Sequence, residues 1–332
     1  MAQDRPGEFE LIRAYFAPLA NDPGSLGLTD DAAVLKPEPG LDLVLTKDVL
    51  ASNVHFFADD APEAIAAKAL RVNLSDLAAK GAKPRGYLLG LALASDWTER
   101  WLERFCAGLS ADQSAYDIRL LGGDTIRSNN GLQVSITAIG QVEPGKAVRR
   151  SGARSGDVLF VSGTIGDAAA GLNARIDPAF CERVSLARVD ESHILDRYLL
   201  PRPRTTLAPL LVDHASAAMD VSDGLFADCG HLAKASQVGV EIDLSKVPVS
   251  TALRHLHTKA PEDFVRFLNG GDDYEILAAV PAEKAAQFSR QAERAGCPVT
   301  EIGRMSEEAG KVRVKENGRP VALQRDSGFR HF

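Results

Sequence analysis

Twice along the chain a strand-like apolar run meets an acidic turn and then a helical pattern, an order that confines the fold to the α/β (α+β) class. In the first half, Leu41-Asp42-Leu43-Val44-Leu45-Thr46 reads as a strand that closes on the polar pair Lys47-Asp48. Residues 60–81 read as one helix, with Ile65, Ala69, Leu70, Leu74 and Leu77 on the helical period and Gly81 as its stop. An amphipathic helix is expected at 8–19, a further helix at 97–110 and a strand at 132–140. In the second half, a strand at 158–161 turns through Gly163 and Gly166 into a helix that starts at Asp167. Later, Ala218-Met219-Asp220 leads through Ser222-Asp223-Gly224 into a helix carrying Leu225, Cys229 and Leu232 on one face.

A chain of 332 residues has room for two full cores. The seam is expected within 144–156, where Pro144, Gly145, Gly152 and Gly156 sit among four basic residues and little could pack. The domains are then 1–145 and 150–332. Against 38 Lys and Arg stand 45 Asp and Glu, a net charge of −7, so a nucleic-acid backbone is a poor partner. No apolar run approaches the roughly 18 residues of a membrane span. The four cysteines contain no C-x-x-C pair and read as reduced thiols, and the first residues lack the basic-then-apolar layout of a signal peptide. A cytoplasmic protein is the expectation.

The motifs with chemistry in them are acidic. Gly140-Gln141-Val142-Glu143-Pro144-Gly145-Lys146-Ala147 has phosphate-loop spacing, but Ala147 stands where a magnesium-holding hydroxyl belongs and Pro144 lacks a backbone donor; it reads as a turn. Asp30-Asp31, Asp48, Asp124, Asp220 and Asp223 all fall at expected turns or strand ends. Asp76 instead lies inside the Ala/Leu-rich helix, where a carboxylate is costly to bury unless paired or holding a cation; a solvent-facing side chain is the plainer reading. Gly122-Gly123 before Asp124 would let backbone approach a ligand, while Asp220-Val221-Ser222-Asp223-Gly224 is equally an ordinary helix cap. Several oxygen ligands with few His or Cys candidates point to magnesium over zinc, and Arg150 adds a cation for phosphate. No G-x-S-x-G elbow or H-E-x-x-H pair supports a hydrolase.

Taken together, Gly7-Glu8-Phe9-Glu10-Leu11-Ile12, Thr29-Asp30-Asp31-Ala32, Val54-His55-Phe56, Val72-Asn73-Leu74-Ser75-Asp76-Leu77, Leu121-Gly122-Gly123-Asp124-Thr125, Arg150-Ser151-Gly152-Ala153, Asp220-Val221-Ser222-Asp223-Gly224-Leu225 and Gly270-Gly271-Asp272-Asp273-Tyr274-Glu275 resemble the thiamine-monophosphate kinase family. That family belongs to the superfamily of aminoimidazole ribonucleotide synthetase and selenophosphate synthetase. The resemblance implies a two-domain fold of that superfamily: an N-terminal domain that binds ATP and metal and mediates a homodimer, and a C-terminal α/β domain that completes the active site. It implies a kinase of thiamine biosynthesis that moves the γ-phosphate of ATP directly onto thiamine monophosphate, giving thiamine diphosphate in the last step. Carried onto this sequence, Asp31, Thr46, Asp48, Asp76, Asp124, Asp220 and Asp223 take the place of ligands to several Mg2+ ions. Gly123, Asp124, Arg150 and Ser222 match ATP contacts, and His55, Asp272 and Phe329 match contacts to thiamine monophosphate. Three residues depart from the pattern: Lys47 replaces a hydroxyl residue, Asp272 a glutamate, and Phe329 a larger or polar aromatic. The acceptor phosphate is already ionised, so no general base is expected. Another ATP-using enzyme of the superfamily, or a non-catalytic nucleotide-binding partner, is the alternative.

Overall fold

The computed structural model describes residues 6–321. The chain divides into two compact units, residues 1–77 with 82–145 and residues 78–81 with 146–332. Among the described residues no helix is long and apolar enough to cross a membrane. Cys106, Cys181, Cys229 and Cys297 are all buried and free.

The first unit carries four strands, β1 (Asp42–Ala51), β2 (Lys83–Leu93), β3 (Arg119–Arg127) and β4 (Gln133–Val142), and two long helices, α1 (Pro62–Ala79) and α2 (Glu99–Tyr116). The sheet order is β1-β4-β2-β3. Strand β4 runs antiparallel to β1 and β2, while β2 and β3 are parallel and therefore need the crossover that α2 provides. Alternation along the strands gives the sheet two unlike faces. Leu50, Leu89, Leu91 and Ile136 are buried on one face, whereas Leu43, Leu45, Val49, Leu88 and Ile126 remain 39–62% exposed on the other.

Three local expectations change. The opening segment is not one helix: an α-turn at Glu8–Leu11 gives way to a π-turn at Ile12–Phe16 and a 3-10 turn at Ala17–Leu19. Pro18 has no N–H for the α-ladder, so the last turn tightens. Strand β1 does not end at Lys47-Asp48; its pairing with β4 continues from Asp48 opposite Ile136 to Ala51 opposite Gln133. Asp124 likewise lies inside a strand, β3, and not on a turn.

The second unit holds a seven-stranded mixed sheet. Its strands are β5 (Val158–Ser162), β6 (Ala217–Asp220), β7 (Gly239–Asp243), β8 (Ile276–Val280), β9 (Val299–Ser306), β10 (Val312–Glu316) and β11 (Arg319–Val321). Their order is β11-β10-β7-β9-β5-β8-β6. Every residue of β5, β6 and β8 is buried, which is why these segments read as unbroken apolar runs. Leu159, Val161 and Met219 enter one core cluster; Val158, Phe160 and Ala218 enter another with Leu211 and Phe288. The helices are α3 (Asp167–Ile176), α4 (Arg188–Leu199), α5 (Ala208–His214), α6 (Leu225–Ser236), α7 (Thr251–Lys259), α8 (Pro261–Leu268) and α9 (Ala282–Arg294). The edge of β6 is covered by the segment after the seam, where Ala218 N–H donates to the Arg149 carbonyl at 2.9 Å.

One buried ion cluster locks this unit. The fully buried Glu275 accepts from Arg197 at 2.9 Å, from Arg204 Nε at 2.6 Å and from Ser162 Oγ at 2.6 Å. Just before it, both oxygens of buried Asp273 accept from Gly166 N–H, at 3.0 and 2.9 Å, at the entrance to α3. Burial pushes the Asp273 carboxyl well above the usual carboxylate range.

Candidate active site

In the first unit, Thr46 and Asp48 are two residues apart on β1 and so share a face. Helix α1 lies against that face, because Thr46 Oγ1 donates to Asp76 Oδ2. Asp76 is the one position between Val72 and Ala79 that is not buried, so the helix opens toward the strand at its only acid in that stretch. The Asp48 carboxyl is pushed up to about 6, first by burial and then by the negative charge of Asp76, with Lys47 opposing. Two like-charged carboxylates in one pocket, one of them accepting from a hydroxyl, form an all-oxygen donor set suited to a hard divalent cation.

The other residues of this unit occupy different places. Lys47 points to the open face, where its Nζ donates to Ser135 Oγ at 2.6 Å. Asp124 shares its cross-sheet row with Gly90, Ser135 and Val49, one row from Asp48, and so belongs to that open face as well. Gly123 sits on the row of Leu89, and a Cβ there would lie 1.9 Å from the Leu89 carbonyl oxygen; parallel strand packing alone requires the glycine. Asp31 is exposed in the loop before β1, its N–H donating to the Asp30 carboxylate at 2.8 Å. His55 lies in the turn after β1, where its Nδ1 accepts from Ala51 N–H at 3.1 Å, which leaves the ring proton on Nε2.

In the second unit, β6 delivers buried Asp220 to the start of a tight turn. Gly224 at φ +115° closes that turn, and a Cβ there would meet the Asn269 carbonyl at 2.4 Å. Asn269 Oδ1 accepts from Phe226 N–H at 3.1 Å and Ala227 N–H at 3.3 Å, capping the first turn of α6. The turn is also tied to the 270–275 segment: Asp272 N–H donates to the Ser222 carbonyl at 2.9 Å, and Val221 N–H to the Glu275 carbonyl at 2.8 Å. Asp220, Ser222, Asp223 and Asp272 are therefore brought together within this unit. Arg150 is exposed on the segment alongside, its carbonyl held by Ser236 Oγ at 3.0 Å. Phe329 lies outside the described residues.

Four residues of this half escaped the sequence reading. Asp228 on α6 accepts from Ser222 N–H and Asp223 N–H, both at 3.0 Å, and so holds the turn from below. Burial and the charge of Asp223 push its carboxyl up to about 7, while those two N–H groups and the charge of Arg150 pull the other way. One ligand atom each from Asp223, Asp228 and His231 lie within 4.8 Å of one another. Asp273 and Glu275 are the buried anchors already described. Their signal was the acid spacing: a carboxylate at the fourth residue of an apolar helix, and three acids within Gly270-Gly271-Asp272-Asp273-Tyr274-Glu275.

Residues 29–142 match the family described as AIR synthase related protein, N-terminal domain, and residues 154–315 match its C-terminal domain. The chain is 43% identical over 324 residues to a thiamine-monophosphate kinase from Caulobacter vibrioides, covering 96% of this chain and 90% of that one. The fold is similar to the crystal structure of thiamine-monophosphate kinase from Stenotrophomonas maltophilia, with a TM-score of 0.81 and 41% identity over 92% of this chain and 94% of that one. It is also similar to AaThiL complexed with AMPPCP and TMP, with a TM-score of 0.75 and 35% identity over 91% of each chain.

Proposed function

The chain belongs to the thiamine-monophosphate kinases of the AIR synthase related family, and from that membership we propose that it transfers the γ-phosphate of ATP to thiamine monophosphate, giving thiamine diphosphate and ADP. A relative 35% identical is complexed with AMPPCP, an ATP analogue, and TMP, which supports both substrates. The observation in this chain that carries the reading is the Thr46–Asp48–Asp76 cluster, in which Asp76 accepts from the Thr46 hydroxyl, and burial and the Asp76 charge raise the Asp48 carboxyl.

The acceptor is an ionised phosphate, so the protein has no proton to remove and must instead align two polyanions. Thr46, Asp48 and Asp76 would hold magnesium, which when bound neutralises the phosphate oxygens, while Asp31 and Asp124 in the first unit and Asp220 and Asp223 in the second are carried over as ligands to further ions. Arg150 and the Ser222 hydroxyl bind ATP phosphates, and the Gly123 backbone, with no side chain in the way, lies against the nucleotide. The Nε2 proton of His55 orients the acceptor phosphate as a hydrogen-bond donor. Asp272 reaches the thiamine moiety, one methylene shorter than the family's glutamate, and Phe329 supplies an aromatic surface. Asp228 keeps the Ser222–Asp223 turn in place through its two accepted hydrogen bonds.

The test is direct: purified protein with ATP, Mg2+ and thiamine monophosphate should yield thiamine diphosphate, resolved by chromatography. Absence of that product, or ATP hydrolysis without it, overturns the reading. A second expectation concerns pH. A cation entering between Asp48 and Asp76 must expel the proton that Asp48 holds below about pH 6. Titration calorimetry should show Mg2+ affinity flat above that pH and falling below it, toward tenfold per pH unit; affinity indifferent to acid would count against Asp48.

Five large apolar side chains on the open face of the first sheet, Leu43, Leu45, Val49, Leu88 and Ile126, are more than a lone subunit ordinarily leaves wet. They support a homodimer formed through the N-terminal unit. Light scattering should give twice the 35.5 kDa of the chain, and Leu45→Lys should shift it toward one copy; a monomeric wild type sinks the idea. Buried free cysteines and the acidic balance support a cytoplasmic setting.

A further inference from the structure

Two residues that carry side chains, Asp272 at φ +64° and Tyr274 at φ +51°, stand in the left-handed region, one on each side of Asp273. L-residues resist that conformation because Cβ crowds the following carbonyl, so an unrestrained segment would relax to extended backbone and carry the Asp272 side chain with it. Asp273 is the point at which the segment is pinned. Its side chain is fully buried, both its oxygens accept from Gly166 N–H, and its carbonyl accepts from Arg197 Nη2 at 3.0 Å. Gly166 has no side chain with which to cap α3, and Asp273 supplies that cap from 107 residues along the chain. On either side the backbone is tied to the neighbouring turn, Asp272 N–H donating to the Ser222 carbonyl at 2.9 Å and Tyr274 N–H to the Val221 carbonyl at 2.8 Å. The Asp272 side chain that emerges from this clamp is half-buried, and its Oδ1 accepts from the Tyr274 hydroxyl at 3.3 Å.

Accepting the kinase reading above, in which Asp272 reaches the thiamine moiety, we propose that Asp273 is a positioning residue for the acceptor: it touches no substrate and acts by holding Asp272 where the acceptor meets it. The bonding pattern confines the effect to one substrate. The Ser222 turn, which meets ATP, has its own support in Asp228, which accepts from Ser222 N–H and Asp223 N–H. That turn therefore stays in place when the Asp273 pin is lost. Asp272 instead depends on a backbone conformation that relaxes without the pin.

Asp273→Ala removes the pin and leaves Asp272 in the chain. In steady-state assays its KM for thiamine monophosphate should rise about tenfold, with kcat and KM for ATP within about threefold of wild type. The same substitution made in an Asp272→Ala background should change KM for thiamine monophosphate by less than about twofold, because the group through which Asp273 acts is gone. A further loss of about tenfold on top of Asp272→Ala, an equal rise in KM for ATP, or no change in either KM overturns the proposal while the kinase reading stands. A wild-type protein that forms no thiamine diphosphate discards that reading, and this role with it. Should Asp273→Ala not fold, hydrogen exchange on the wild type decides. The Asp272 and Tyr274 amides should then exchange no faster than those of buried β8, and exchange about a hundredfold faster overturns the pin.

Discussion

Asp76→Asn should lower turnover by about a thousandfold or more, the scale on which loss of one pre-placed charge at a phosphoryl or acyl centre is felt. The substitution keeps the shape of the side chain and an oxygen for Thr46 Oγ1 to donate to, so the contact between α1 and β1 survives. What disappears is the negative charge that burdens Asp48. The unfolding midpoint should therefore hold or rise slightly, since a like-charge conflict in a half-buried pocket has been relieved. Loss of rate with retained stability separates a ligand from a scaffold residue. Thiamine diphosphate formation and thermal melting, measured on one preparation, decide it: a rate within tenfold of wild type would remove Asp76 from the metal-holding set.

Glu275→Gln should have the largest effect on stability, a loss of about 3–5 kcal/mol of the unfolding free energy, because it strands a buried guanidinium. Arg197 is 2% exposed, its Nε and Nη1 have no hydrogen-bond partner among the described residues, and its Nη2 donates to Glu275 Oε1 at 2.9 Å and to the Asp273 carbonyl at 3.0 Å. Arg204 shares the same carboxylate and is less enclosed, so it can regain water when the charge is removed. Urea unfolding should show a lower midpoint at unchanged slope. Replacing Arg197 and Glu275 together by Leu and Met should recover much of the loss, since two apolar groups need no partner. A Glu275→Gln protein as stable as wild type would mean that the cluster is wetter than its burial indicates. The functional consequence is indirect: Val221 N–H hangs on the Glu275 carbonyl, so softening this strand start should loosen the Asp220–Asp223 turn.

The parts of the fold legible beforehand were those with one strong periodicity. The helix read at 60–81 is observed at Pro62–Ala79, and the buried strands β5 and β6 cover the segments read at 158–161 and 218–220, each longer by one residue. Strands β2 and β3 were missed because Pro84, Gly86 and Gly90 interrupt one and Gly122-Gly123 the other, and glycine in a strand reads as a turn until a neighbour explains it. Asp48 and Asp124 were placed at strand ends for a related reason. A polar residue after an apolar run resembles a stop, although a sheet with one open face admits it within the strand. The aspartates announced an oxygen-rich site, but their division into metal, ATP and substrate contacts came from family resemblance. Asp228 and Glu275 left only their acid spacing in the sequence, because the partners that give them meaning lie five to 113 residues away.

The tight seat of Gly123 against the Leu89 carbonyl bears on how a mutational survey of this enzyme should be scored. Any larger residue there is eliminated by strand collision before chemistry is consulted, so its intolerance carries no information about nucleotide recognition. Efforts to retune donor selectivity are better aimed at neighbouring positions whose side chains have somewhere to go.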